Sequence, residues 1–207
     1  MKKPLGKLSK VSGDHSSVDP KKHYDNWAEE YDHELINDYG YIAHKITTSK
    51  FRTIVTYKKA QIIDVGCGTG LVGKELKKLG YSNIEGYDIS PKMLKKAQKT
   101  NAYQGLFELD LNQKKTIGLK RYDALISVGS FGYGSLNIKS LLNLIRLVNS
   151  KGVMFIFMNS QPFFSENYEE YLSLLVKKGF WKIYSISAHN YMTELKRPGK
   201  LIIAIKR

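Results

Sequence analysis

Short apolar runs alternate with longer stretches of helical periodicity along most of this chain. Residues 61–65, 83–88, 105–110, 122–128 and 152–158 read as strands. Between and after them, 70–79, 91–100, 137–149 and 166–178 space their apolar positions three and four apart, as helices do. Alternation of this kind predicts an α/β fold, a doubly wound parallel sheet with helices on both faces. The runs 180–187 and 200–206 have no helix between them, so they are expected to pair as an antiparallel hairpin at one edge. Upstream, Asp19-Pro20 reads as a helix start, and Tyr24, Trp27, Ala28, Tyr31 and Leu35 recur at helical spacing to form one aromatic face. A second helix is expected from Gly40 to Tyr57. Residues 1–18 are polar, basic and unpatterned and read as a disordered tail. That leaves 19–207 as one domain, with N-terminal lid helices over 19–58 and a cofactor-binding core over 59–207.

The first strand carries the most specific chemistry. Ile62, Ile63, Asp64 and Val65 run into Gly66-Cys67-Gly68-Thr69-Gly70, and a helical pattern follows. Glycines here let the backbone take positive φ and let a ligand approach the main chain closely. The amides at the start of the next helix face the same space, as in nucleotide-cofactor loops. Gly68, Gly70 and Gly73 also satisfy the dinucleotide pattern G-x-G-x-x-G, with Asp88 twenty residues past Gly68. Against a dinucleotide, Gly66 and not Gly68 follows the strand directly. Asp64 would also add negative charge where phosphates crowd. An acid there suits a cofactor with a positive charge and a free amino group, such as S-adenosylmethionine.

The chain resembles the class I S-adenosylmethionine-dependent methyltransferases. DVGCGTG (Asp64 to Gly70) is similar to that superfamily's first motif, GYDIS (Gly86 to Ser90) to its second strand, LFELDL (Leu106 to Leu111) to its third and YDALISVGSF (Tyr122 to Phe131) to its fourth. A closer resemblance joins HYDNWAEEYDHEL (His23 to Leu35), Tyr39-Gly40-Tyr41, Ser90 to Leu94 and Lys177 to Lys182. It is to the methyltransferase-like proteins named after the Williams–Beuren syndrome chromosomal region. The resemblance implies a Rossmann-like methyltransferase sheet, a C-terminal antiparallel hairpin, S-adenosylmethionine as cofactor and S-adenosylhomocysteine as product.

On that reading Asp88 accepts hydrogen bonds from the ribose hydroxyls, with Ile89 beside it and Met93 packed on the adenine. Asp110 accepts from the adenine amino group and the Leu111 amide donates to a ring nitrogen. Asp64 meets the methionyl amine directly or through water. Gly66, Cys67, Gly68, Thr69 and Gly70 cradle the cofactor, with Cys67 a packing residue rather than a nucleophile. Ser127 reaches cofactor or substrate, as does Ser130. Tyr24, Trp27 and Tyr31 are either core residues or a lid that excludes water. A general base, if one is used, comes from His33, His189, Tyr191 or Glu194.

Composition changes this picture little. The chain has 207 residues, ordinary apolar content at 42% and a single cysteine, Cys67, so neither an intrachain disulfide nor a cysteine-rich metal site is expected. No apolar run approaches the ~20 residues of a membrane span, and the N-terminus lacks the apolar stretch of a signal peptide, so a cytoplasmic location is expected. The net charge of +14 comes from 33 basic residues, of which only Arg52, Arg121, Arg146, Arg197 and Arg207 are arginine. Scattered lysines favour anionic partners without specifying nucleic acid, whose preferred reader is Arg.

Absences narrow the acceptor. Ser127-Val128-Gly129-Ser130 stands where amino-group methyltransferases of adenine or glutamine carry an N/D-P-P-Y/F block, and no Pro-Cys nucleophile exists for cytosine C5. Phe163, Phe164, Tyr191 and Met192 suggest a partly apolar or aromatic small-molecule acceptor. The alternatives are an RNA or protein methyltransferase, or a cofactor-binding protein without turnover.

Overall fold

Burial and the capping residues account for most of the element boundaries. The structure, a computed structural model, describes residues 19–112, 120–131, 136–165 and 167–207. The tail reading for 1–18 and part of the glycine-rich loop after Phe131 lie outside the described residues. Strand β1 (Ile62–Val65) is buried throughout. It pairs in parallel with β2 (Ile84–Asp88) on one side and β4 (Tyr122–Val128) on the other. β2 pairs with β3 (Gly105–Glu108), and β4 with β5 (Val148–Asn159), both in parallel. β7 (Arg197–Lys206) then pairs antiparallel with both β5 and β6 (Trp181–Met192), giving the order β3-β2-β1-β4-β5-β7-β6. The expected antiparallel hairpin is present, with its second strand inserted against the parallel sheet.

Two apolar layers cover the sheet. On one face α6 (Leu141–Arg146) and α8 (Tyr168–Lys177) pack on Ile63, Leu125, Ile156 and Ile202. On the other, α3 (Ala43–Ile54) and α4 (Leu71–Lys78) bring Phe51 and Leu76 onto Ile62, Phe155 and Phe157. Each such fully buried side chain is worth about 1.5–3 kcal/mol. α5 (Pro91–Lys99) lies between β2 and β3 in sequence and starts on a Ser90 cap, whose Oγ accepts from Met93 N at 3.1 Å. No helix among the described residues is long and apolar enough to cross a membrane.

The N-terminal segment departs from the periodic reading. α1 (Pro20–Trp27) starts as expected, with the Asp19 carboxylate accepting from Lys21 N and Lys22 N. It ends at Trp27, and the chain turns before the short α2 (Tyr31–His33) and a π-helical turn, Glu34–Asp38. The turn separates two tertiary anchors. Asp25 accepts from Ser90 Oγ (2.5 Å) and Lys92 N (3.3 Å), while Asp32 accepts from Thr69 Oγ1 (2.5 Å). α3 begins later than Gly40 because Tyr41 N and Ile42 N are engaged elsewhere, donating to Leu35 O and Tyr191 O at 2.9 Å each. Near the other end of the chain the helix expected over 137–149 is a 3-10 turn plus α6, and β5 starts at Val148. A further helix, α7 (Ser160–Ser165), falls where none was expected.

Candidate functional site

The parallel strands deliver their carboxyl ends to one edge of the sheet, and the glycine loop turns back across that edge. Gly66 N and Cys67 N both donate to Tyr87 O, at 2.8 and 3.1 Å, which ties the loop to β2. Gly66 and Gly68 have φ of 68° and 53°, a region that costs a residue with a Cβ about 1–2 kcal/mol. The two glycines serve different ends. A Cβ on Gly66 would stand 2.1 Å from Ser130 Oγ, whereas one on Gly68 would meet nothing within 4 Å. Gly66 therefore permits packing, and Gly68 keeps a surface open. Ser127 and Ser130 fasten β4 to the loop by donating to Val65 O at 3.0 and 3.1 Å.

Asp88, at the end of β2, is the hub. Its Oδ2 accepts from Gly68 N at 2.8 Å and its Oδ1 from Ser90 N at 2.9 Å. Burial raises its pKa, with the hydrogen bonds from Ser90 and Gly68 pulling the other way. Around it opens a cleft at the carboxyl ends of the parallel strands. Gly66 and Gly68 form its floor, while Asp88, Ile89 and Met93 form one wall and Leu109 to Asn112 another. Val128, Gly129, Ser130 and Leu136 close the side toward β4, and Pro20, Tyr24 and Tyr31 roof it. Polar groups are few and convergent, and the rest of the lining is mostly apolar.

Of the candidate cofactor residues, the structure brings Tyr24, Tyr31, Gly66, Gly68, Asp88, Ile89, Met93, Asp110 and Leu111 to this cleft. Trp27, Asp64, Cys67, Thr69, Gly70 and Ser127 do not line it. Trp27 is buried behind the roof, edge-on to Tyr31 at 4.7 Å, and its indole donates to Glu34 Oε2 at 2.7 Å. Cys67 packs toward Gly86, and burial lifts its thiol well above the usual range, which fits packing. Thr69 is taken up by Asp32, and Gly70 lies against α5. Asp64 sits beneath the loop. Its Oδ2 accepts from Tyr103 OH at 2.7 Å, its Oδ1 is buried without a partner, and burial pushes its pKa up to about 7.

The base candidates fare differently from one another. His33 is exposed, and His189 lies on β6 against Ser187 Oγ at 2.8 Å. Neither they nor Glu194 line the cleft, and among the described residues no histidine does. Tyr191 is buried beside Phe157 and Tyr41. Tyr103 and Tyr41 contribute more than the sequence pattern indicated. Tyr103 OH links Asp64 to Gly73 N, from which it accepts at 3.1 Å. Tyr41 is held with its hydroxyl beside Gly129, a lining residue, because residues 39–42 pair with the β6–β7 connection: Thr193 N donates to Gly40 O and Glu194 N to Tyr39 O, each at 3.3 Å. A strand run that ended at 187 gave no signal for that seam.

Residues 62–152 match the methyltransferase domain family. Methyltransferase-like protein 27 of Homo sapiens is 34% identical over 114 residues, which is 54% of this chain and 46% of that protein. The chain thus spans about half the length of the curated relative it matches. Among solved structures, magnesium protoporphyrin IX methyltransferase from Synechocystis, crystallised with bound S-adenosylmethionine, superposes with a TM-score of 0.68. It is 16% identical, with 92% of this chain and 99% of that one covered. The N-methyltransferase NodS from Bradyrhizobium japonicum, in complex with S-adenosylhomocysteine, gives 0.69 at 10% identity over 91% and 99%. At these identities the likeness is one of fold.

Proposed function

We propose that this protein transfers a methyl group from S-adenosylmethionine to a small-molecule acceptor, since residues 62–152 match the methyltransferase domain family and the fold is that of the methyltransferase structures it superposes on. The observation that carries the reading is the pairing of Gly68 and Asp88 at the floor of the cleft. Gly68 presents an open face, and Asp88 presents a half-buried carboxylate, held by backbone amides, with acceptor capacity left for a ribose hydroxyl. The residues fit the cofactor in three further respects. Ile89, Met93 and Leu111 form an apolar slot for a planar base. Asp110 stands at the end of that slot as an acceptor. The unpartnered Oδ1 of Asp64, beneath the loop, suits an ammonium donor reached through water.

When bound, S-adenosylmethionine supplies a methyl carbon on a sulfonium: the acceptor's lone pair forms the new bond to carbon as the carbon–sulfur bond breaks, releasing S-adenosylhomocysteine and, from a hydroxyl or amine acceptor, one proton. The chain's own part is alignment, which can lower such a barrier by several kcal/mol. Gly66, Gly68 and Asp88 fix the donor end, and Tyr24 and Tyr31 act as a lid that excludes water. The lid is held down at both ends of its turn, by Asp25 on Ser90 and Asp32 on Thr69, and by the Lys21–Glu108 ion pair. The Synechocystis neighbour is by its name a methyltransferase of a small molecule, which supports the same acceptor class.

The test is isothermal titration of S-adenosylmethionine, S-adenosylhomocysteine and NAD into the wild type and Asp88→Ala, with circular dichroism as a check on folding. The expected result is micromolar binding of both adenosyl compounds, lost in the folded variant, and none of NAD. Binding of NAD alone would overturn the reading. Release of S-adenosylhomocysteine with bulk RNA or peptides but with no small molecule would move the acceptor to a macromolecule.

A further inference from the structure

Many of the basic residues fall in adjacent pairs along the chain, and the fold collects several pairs at the edge of the sheet opposite the cleft. Lys77-Lys78 stand at the end of α4 ahead of β2, and Lys58-Lys59 lead into β1. Lys120-Arg121 lead into β4, and Lys177-Lys178 follow α8 ahead of β6. Lys206-Arg207 come at the end of β7, which runs antiparallel and so finishes where the parallel strands start. The pairs thus follow the order of the sheet from β2 to β6, with the exposed Lys151 in the place of β5. Neighbouring strands lie about 4.8 Å apart, which makes the row about 24 Å long.

Contacts between neighbours hold the row together. Lys58 Nζ sits 4.1 Å from the centre of the Tyr81 ring, just past Lys78, and Asn83 Nδ2 donates to Lys59 O at 2.8 Å. Gln61 N donates to Asp123 Oδ2 and Asp123 N to Gln61 O, each at 2.9 Å, so Lys58-Lys59 come beside Lys120-Arg121. Lys206 Nζ donates to Val148 O at 2.6 Å, and its pKa is lowered by burial and by the charge of Arg121. Arg207 N donates to Phe180 O at 3.2 Å, next to the end of α8.

Little neutralises this charge. The acids beside the row are Glu75, paired with Lys78 at 2.7 Å, Glu85, paired with Lys120, and Asp123, whose oxygens accept from Gln61 N and Asn149 Nδ2. Lys58, Lys59, Arg121, Lys177, Lys178 and Arg207 are exposed and form no ion pair among the described residues. Acids gather at the cleft edge instead, where Asp25, Asp32, Asp88 and Glu108 hold the lid and the glycine loop. Helix dipoles account for Lys77-Lys78 and Lys177-Lys178, since cations are favourable at helix C-termini. They do not account for the pairs that flank β1, β4 and β7. Like charges held this close repel one another, and an anionic surface relieves that repulsion.

A lipid surface suits the row better than a nucleic acid does. Both helical layers feed it, α4 from one face of the sheet and α8 from the other, so the cations spread over a broad end of the molecule. Most of them are lysines, point charges that attract anionic headgroups without bidentate geometry, whereas phosphate and base recognition in nucleic acids favours Arg. Tyr57, 64% exposed beside Lys58, is an aromatic of the kind that settles at headgroup level. We propose that this edge docks on the surface of an anionic bilayer, the basic row meeting the headgroups and the cleft facing away into water.

The experiment sediments the full chain with phosphatidylcholine vesicles, with and without added phosphatidylserine. It is run at about 0.1 M and about 1 M salt, where charges are screened over about 10 and 3 Å. Binding is expected only with phosphatidylserine and only at the lower salt. Replacing Lys58, Lys59, Lys177 and Lys178 together by Gln should weaken it about tenfold or more. A control with Lys92, Lys95, Lys139 and Lys196 replaced by Gln loses the same charge away from the row and should stay within about twofold of wild type. Circular dichroism melts confirm that both variants fold, and Lys177→Gln with Lys178→Gln alone serves if the larger variant does not. No binding to phosphatidylserine vesicles, binding that persists at the higher salt, or equal losses in the row and control variants would each overturn the inference. So would polyuridylate binding tighter than vesicle binding and lost in the row variant, which would assign the row to nucleic acid.

Discussion

Replacing Asp64 by asparagine should stabilise the ligand-free protein at alkaline pH while weakening cofactor binding. The carboxyl is 1% exposed, with one oxygen bonded to Tyr103 OH and the other unpaired. Carrying its pKa from an ordinary 3.8 to about 7 corresponds to ~4 kcal/mol. A raised acid favours the folded state fully below the unfolded value and loses that advantage as pH rises through the folded value. Wild-type stability therefore falls between pH 3.8 and about 7 on this group's account and is level above it. Asparagine keeps an acceptor for Tyr103 but buries amide donors, at a cost of about 1–3 kcal/mol that does not vary with pH. Between pH 5 and 8.5 the difference between variant and wild type should thus swing by about 3 kcal/mol in the variant's favour. Urea unfolding of both proteins across that range measures it. His44, whose pKa burial lowers to about 4, slopes the other way but is common to both proteins and cancels. S-adenosylmethionine affinity at pH 8 should fall about tenfold, the loss expected of one charge-assisted contact. A swing below about 1 kcal/mol would refute the assignment of a costly buried charge to Asp64.

Two further substitutions separate packing from binding. Gly66→Ala must displace Ser130 as well as strain the backbone, so its thermal midpoint should drop by several degrees. Gly68→Ala should cost only about 1 kcal/mol in a melt yet lose most cofactor affinity by calorimetry, because its Cβ enters open space over the floor of the cleft. Glu34→Ala removes the acceptor shared by Trp27 Nε1 at 2.7 Å and Tyr39 OH at 2.9 Å. A loss of about 2 kcal/mol by denaturant unfolding is expected, with a faster off-rate for S-adenosylhomocysteine by stopped flow.

The parallel sheet was legible because each strand carries its own apolar run, and the glycine loop because its residue types are dictated by backbone geometry. Asp88 was legible by its distance from the loop. Asp64 was placed at the right strand end, but nothing in the sequence indicated that Tyr103 would draw it beneath the loop. Trp27 shares a helical period with Tyr24 and Tyr31, yet the chain turns after it, so periodicity put three residues on one face where the cleft receives two. That turn follows from the contacts of Asp25 and Asp32 with distant partners, which local pattern does not encode. Tyr41 and Tyr191 meet through pairing between segments far apart in sequence, and their proximity has no local signature.

That pairing also bears on the order in which the molecule assembles and opens. Gly40 and Thr193 are 153 residues apart, so the seam between them closes a loop that includes nearly the whole sheet. Contacts of this separation repay their chain-closure entropy only once the intervening strands are in place. The seam should therefore be late to form on folding. Its few backbone bonds, together with the side-chain anchors of the N-terminal helices, make it a natural subglobal opening unit. Amides such as Ile42 and Thr193 should exchange with solvent well before those of β1 and β4. The same opening would give reactants a way in and products a way out without disturbing the glycine loop.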